Sequence, residues 1–147
     1  MTNLGMPNIQ VLFKQLAASI ISRSEKGRLA MVVIDTTEAG DDVATYWASS
    51  EVKPEHYTED NYNAIKSAFL GLPLTVTVIK QSALGAFTTE AAAVLQTVSY
   101  DWACIVSSDS TDQDGLAQFI KEQNKVRKFK VKGLVWQATS PDDKQVV

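Results

Sequence analysis

Two of the most apolar runs in this chain each end in acidic residues. Asp35 comes directly after LAMVVI, at the head of Asp35-Thr36-Thr37-Glu38, and Asp109 and Asp112 lie in SSDSTDQD, residues 107–114, just after WACIV. If both runs are strands of an open α/β sheet, these carboxylates stand at strand carboxyl ends, where such sheets place their ligands. Asp35, Asp109 and Asp112 together would offer oxygen ligands suited to a hard cation such as Mg²⁺. Asp35 with Asp109 is also the pair on which a small ligand-binding or metal-dependent enzyme domain would depend. The spacing matches no defined metal loop, however, and Ser, Thr and Asp are equally the residues that cap helices and close turns by binding nearby backbone N–H groups. We adopt the capping reading and expect no catalytic, cofactor-binding or metal-binding residues.

Other reactive groups add little. His56 is the single histidine and falls in the polar stretch KPEHYTE, where an exposed side chain is expected. Cys104, the single cysteine, sits inside WACIV, so it reads as a core thiol whose thiolate is disfavoured, and no internal disulfide can form. A Ser-His-Asp or Cys-His arrangement would have to use one of these two. Neither G-x-x-x-x-G-K-[ST] nor G-x-G-x-x-G occurs, so the backbone cradles that hold nucleotide phosphates are missing. Trp47, Trp102 and Trp136 lie in or beside apolar runs and are expected to pack in the core rather than to stack on bases.

The elements that would position these residues are legible in the apolar pattern. Leu29 to Ile34 is continuously apolar, the mark of a strand covered on both faces. ATYWAS, after the turn at Gly40-Asp41-Asp42, reads as its antiparallel neighbour or as an edge strand. Thr58 precedes EDNYNAIKSAFLG, in which Tyr62, Ile65 and Phe69 share a helix face and Gly71 is expected as the left-handed terminator. Leu74 to Lys80 alternates as a strand. TTEAAAVLQTVSY reads as a helix capped by Thr88 or Thr89, with Ala91, Val94, Leu95 and Val98 buried. WACIVSS is a strand, TDQDGLAQFIKEQNKVR a helix with Leu116, Phe119 and Ile120 inward, and KGLVWQA a last strand. Alternation of strand and helix predicts an α/β fold, a mostly parallel sheet with flanking helices. No helix follows the last strand to cover it, so the domain spanning 28–147 is expected to be truncated at its carboxyl end.

Composition is that of one globular unit: 147 residues, 45% hydrophobic and 21% charged, with a net charge of −3. That charge gives no overall attraction to nucleic acid or to an anionic membrane, and the apolar runs fall far short of the ~20 residues of a spanning helix. Neither partner is expected. Charge is unevenly distributed all the same. Residues 35–60 hold eight acids against Lys53 alone, and residues 121–132 hold six bases, Lys128 and Lys130 among them, against Glu122 alone. Apart from two solvated faces, this pattern suits contact between the acidic surface of one subunit and the basic surface of the next.

The opening GMPNIQVLFKQLAASIISRSEKG remains. Its apolar block LAASII is too short for a secretory signal core and no base precedes Lys14. Ile9, Val11 and Phe13 alternate with polar residues apart from Leu12, and Pro7 holds the entry extended, as at an edge strand. Residues 8–22 could thus be a strand or helix on the chain's own core. Read on through RLAMVVID, however, the segment resembles the amino terminus of tail sheath proteins of contractile-tailed bacteriophages, prophages and phage-tail-like bacteriocins. The resemblance rests on Gly5, Pro7-Asn8-Ile9, Phe13, Ile20 or Ile21, Arg23-Ser24, Gly27 and the apolar strand after it. It implies an extended amino-terminal arm, residues 1–27, that pairs strand to strand with neighbouring subunits, with Pro7, Ile9, Val11, Phe13 and Arg23 as contact residues. It further implies a non-enzymatic virion structural protein whose partners are neighbouring sheath subunits, the tail tube protein, the baseplate and the tail terminator. Its place would be the virion tail or tail-like particle, assembled in the cytoplasm of the bacterial host.

Overall fold

The structure, a computed structural model, describes residues 27–128, 130–136 and 146. Five strands form one sheet in the order β2-β3-β1-β4-β5. They are β1 (Leu29–Ile34), β2 (Val43–Tyr46), β3 (Val76–Gln81), β4 (Trp102–Val106) and β5 (Lys132–Leu134). β1 is central, pairing in parallel with β3 from Leu29↔Val76 to Ile34↔Gln81 and with β4 from Leu29↔Trp102 to Val33↔Val106. β5 continues the parallel set beside β4. β2 is an antiparallel edge strand as expected, but its partner is β3 rather than β1. An α/β fold with a mostly parallel sheet is therefore present.

The continuous apolar run of β1 has the two-sided burial it predicts. Ala30 and Val32 face a core formed with Ile79, Ala103 and Ile105 beneath helices α2 (Ala91–Leu95) and α3 (Ser110–Lys125). Met31 and Val33 face a second core formed with Val76 and Val78 beneath α1 (Glu59–Ala68), whose Ile65 is fully buried. β3 is likewise buried on both faces, so its alternation of Thr and Val is not an in-out pattern: Thr77 and Thr75 are buried too. Thr77 meets the cost of that burial by sharing a 2.9 Å hydrogen bond with Thr45 on β2.

Several local expectations need correction. α1 closes through a 3-10 turn, Phe69–Gly71, and the left-handed residue is Leu72 (φ 53°) rather than Gly71. α2 is only five residues long and begins after Glu90, not at Thr88 or Thr89; Ala91 and Leu95 are buried whereas Val94 and Val98 are half-buried. The three alanines favour a helix, but one short turn suffices to bring the chain from β3 back to β4. α3 agrees with its pattern, burying Leu116, Phe119 and Ile120. The last strand is three residues rather than the longer KGLVWQA. Gly133 on it lies under α3, where an added Cβ would come within 2.9 Å of Ile120 Cγ1.

Candidate functional site

The order β3-β1-β4 reverses winding direction at β1, and the crevice beyond the carboxyl ends of β1 and β4 is where a doubly wound sheet offers a ligand site. Asp35 and Asp109 both stand at that edge. What they do there is decided by their partners. Asp35 is buried, and it accepts from Thr37 N–H at 2.9 Å, Thr58 N–H at 2.8 Å, Thr58 Oγ1–H at 3.3 Å and Asn61 Nδ2–H at 2.9 Å. Burial by itself would raise its pKa, but the hydrogen bonds from Thr37, Asn61 and Thr58 outweigh it and hold the carboxyl at about 2. The residue thus ties the end of β1 to the start of α1, whose cap Thr58 makes no side-chain cap bond of its own.

Asp112 does the same on the other side of the sheet. Fully buried, it accepts from Gln81 Nε2–H at 3.0 Å, Gly85 N–H at 3.0 Å, Phe87 N–H at 3.3 Å and Ser107 Oγ–H at 2.9 Å. Burial pushes this carboxyl up, and the bonds from Gly85, Gln81, Ser107 and Phe87 bring it below its ordinary value. The second amide hydrogen of Gln81 goes to Ala83 O at 2.6 Å, leaving Gln81 Oε1 a buried acceptor without a partner among the described residues. That acceptor is sealed inside the core. Asp109 is the N-cap of α3, accepting from Thr111 N–H at 2.7 Å and Asp112 N–H at 3.4 Å. Capping describes Asp35 and Asp109, whereas Asp112 is a buried acceptor that gathers donors from β3, from Gly85 and Phe87 and from Ser107. Their lone pairs point at this chain's own N–H and O–H groups, and among the described residues no three His, Cys, Asp or Glu side chains converge. The reading of Asp35 and Asp109 as the working pair of an enzyme finds no support in this geometry.

Cys104 is half-buried on β4, and burial pushes its thiol up to about 12, as its apolar setting predicts. His56 is half-buried rather than exposed. It packs against Gly40 (φ 80°), where a Cβ would fall 2.7 Å from the imidazole Cγ. Two of the tryptophans are not core residues: Trp47 is 57% exposed and Trp136 70%, while Trp102 is half-buried beneath Lys132 Nζ, 4.9 Å from its ring centroid. Aromatic content in or beside a strand could not reveal this, because β2 is an edge and β5 is short.

The charge pattern acquires a direction. Glu38, Asp41 and Asp42 lie between β1 and β2, and Glu55, Glu59 and Asp60 flank the start of α1. All six are exposed at the carboxyl edge of the parallel strands; of the remaining two acids, Asp35 is buried and Glu51 turns toward Trp47 at the far end of β2. α3 starts at that same carboxyl edge and runs back, so Lys125, Arg127, Lys128, Lys130 and Lys132 are exposed at the amino edge. Asn124 fixes this return, donating from Nδ2 to Val131 O at 2.8 Å and accepting from Val131 N–H at 3.1 Å. The domain carries opposite charge at the two ends of its strand axis. Lys128 and Lys130 are thus placed on one exposed pole, whereas Pro7, Ile9, Val11, Phe13 and Arg23 lie outside the described residues.

The class defined so far is an α/β domain with saturated carboxylates at its switch point and opposed charged ends. No protein-family profile matches the chain. It is similar to the tail sheath protein of Clostridium phage phiCD119, with 26% identity over 125 residues that cover 80% of this chain and 34% of that protein. The chain thus spans about a third of the length of the curated relative it matches.

Proposed function

We propose that this chain is part of a structural, non-enzymatic subunit of a contractile tail sheath, which polymerises around a tail tube and contracts to drive it into a target cell. The similarity to a phage tail sheath protein carries the reading. The opposed poles support it, since a helical tube needs head-to-tail contacts that do not close, and an acidic end meeting a basic end supplies direction and register. Residues 1–27 act as the arm: Pro7, Ile9, Val11, Phe13 and Arg23 pair with a neighbouring subunit, where backbone bonds give affinity and alternate side chains give register. Residues 28–147 form the sheath domain. Assembly stores energy in an extended lattice, and the arms keep subunits tethered as they rotate outward into a more stable one. Tube protein, baseplate and tail terminator are the remaining partners, in a virion tail or a bacteriocin-like particle assembled in the host cytoplasm.

Reversing both Lys128 and Lys130 to Glu in the particle-forming protein tests this. Sheath assembly, followed by light scattering and electron microscopy, is expected to slow about tenfold at low ionic strength and to lose much of its salt dependence. Unchanged kinetics would remove the poles from the interface, and stabilisation of the wild-type protein by Mg²⁺ or nucleotides would favour an enzyme.

A further inference from the structure

A cavity of about 480 Å³ opens at the amino edge of the sheet, between the α2–β4 connection, Arg28 at the entry to β1 and Lys130 before β5. That size lies within the roughly 300–1,000 Å³ of ligand-binding clefts. Leu95, Val98 and Val131 give it an apolar wall, and Tyr100 lines it. Tyr100 is 9% exposed, yet its hydroxyl has no hydrogen-bond partner among the described residues. Burial pushes the phenol up to about 12, so the O–H remains a donor at every physiological pH. A buried donor left open to a cavity calls for an acceptor. The charges at the mouth specify its kind. Arg28 is answered by Asp101 and also donates to Ser99 Oγ at 2.7 Å. Lys130 is exposed, and Arg127 beside the mouth donates to the neutral Gln96 Oε1 at 3.0 Å. Among the described residues that line the cavity, Asp101 is the only acid. A carboxylate fits this setting.

The opposite end of the same domain offers one. Residues 38–42, between β1 and β2, carry Glu38, Asp41 and Asp42, all exposed, and none of the three carboxylates meets a donor among the described residues. The loop beneath them is fixed. Lys80 Nζ donates to Thr37 O at 3.0 Å and to Ala39 O at 2.8 Å, Lys80 N–H donates to Asp42 O at 2.8 Å, and Gly40 rests on the imidazole of His56. A loop held in this way loses little conformational freedom on binding. It cannot reach the cavity of its own chain, because the six residues of β1, about 20 Å, lie between the two edges. We propose that loop 38–42 of one copy of this chain seats in the amino-edge cavity of the next, its carboxylates against the Tyr100 hydroxyl, Lys130 and Arg127. The contact is heterologous: each copy gives a loop at one end and receives one at the other, which makes a directional row rather than a symmetric pair. The proposal rests on the head-to-tail meeting of the two charged ends and adds the side chains that decide its register.

The particle-forming protein, freed of its single native thiol by Cys104→Ala, allows a direct test. Copies carrying Thr97→Cys in the cavity wall are mixed with copies carrying Asp41→Cys, oxidised with copper phenanthroline and read by mass spectrometry. Crosslinks between position 97 of one copy and position 41 of another are expected at least ten times as often as with Glu59→Cys, an exposed acid of the same pole outside the loop. A second arm uses Tyr100→Phe, which removes the hydroxyl alone. Head-to-tail association, followed by light scattering, should weaken about tenfold, as for a lost hydrogen bond to a charged group. The urea midpoint should stay unchanged, since that hydroxyl has no partner among the described residues. Equal crosslinking from Asp41→Cys and Glu59→Cys, wild-type association of Tyr100→Phe, or a loss of stability matching the loss of association would each overturn the proposal. If reversal of Lys128 and Lys130 still slows assembly in that event, the charged ends meet without this socket; if it does not, the head-to-tail reading falls as well.

Discussion

At the residue scale, the carboxylates are the informative groups, and their partners turn a question about catalysis into one about stability. Replacing Asp35 by Ala strands the donors of Thr37, Thr58 and Asn61 and is expected to cost about 2–4 kcal/mol, read from urea unfolding, with the same loss whether or not Mg²⁺ is present. The pH dependence follows from the direction of the shift. Asp35 titrates near 2 when folded against an ordinary 3.8, so between these values the unfolded chain takes up the proton first. The stabilisation, about 2 kcal/mol, is complete above pH 5 and is lost as pH falls toward 2. Asp112 is also lowered, as is Asp101 just before β4, whose burial is outweighed by the Arg28 N–H at 2.8 Å and the Arg28 guanidinium at 3.3 Å, and both act in the same direction. Asp35→Asn should therefore flatten the acid limb of the stability curve. Sequence placed these acids correctly at strand ends and named capping as their commoner role. It could not show that Asp112, a helix residue in the first turn, would be the buried hub, because its donors come from β3, from Gly85 and Phe87, and from Ser107. Nor does any residue type announce Lys128, whose φ of 56° is left-handed. Lys128→Gly should relieve that strain and raise stability by about 0.5–1 kcal/mol, measured by the urea midpoint.

At the scale of elements, apolar periodicity identified β1, α1, β4 and α3 because each carries its own signal: an unbroken run or a helical stripe. Elements whose shape is set by neighbours were misjudged. β3 reads as an alternating strand over Leu74 to Lys80; it runs Val76–Gln81 and is buried on both faces, since β2 covers its edge and helices lie on both sides of the sheet. α2 reads as long from its alanines and is short. Leu72 takes the conformation expected of Gly71, the 3-10 turn having advanced the chain by one residue. The seat of α3 on β5 rests on an absent side chain. Gly133→Ala sets a methyl 2.9 Å from fully buried Ile120 and is expected to cost about 1–3 kcal/mol. Adding Ile120→Ala should recover part of that loss, and a double-mutant cycle in chemical unfolding measures the coupling; strictly additive costs would mean the two elements do not press on each other.

At the scale of the whole molecule, the two charge clusters were visible as sequence, but their opposition was not. Only the return of α3 across the sheet sends one to each end. A corresponding prediction concerns the pole itself: with both lysines reversed, domain stability should change by less than about 0.5 kcal/mol, as is usual for exposed charges, while assembly suffers. Loss of both together would mean that the lysines serve the fold and not the contact. The central position of β1 has a consequence in time. Leu29 bonds sideways to the registers of Val76 and Trp102, so β1 must wait for partners synthesised much later. At ordinary translation rates that interval is on the order of seconds, and parallel pairings over such separations are intrinsically slow to form. During it the apolar strand Leu29–Ile34 has neither neighbour. A polypeptide with this topology cannot present both charged ends until β4, α3 and β5 have joined the sheet, which postpones any encounter that uses those ends until these elements have been made.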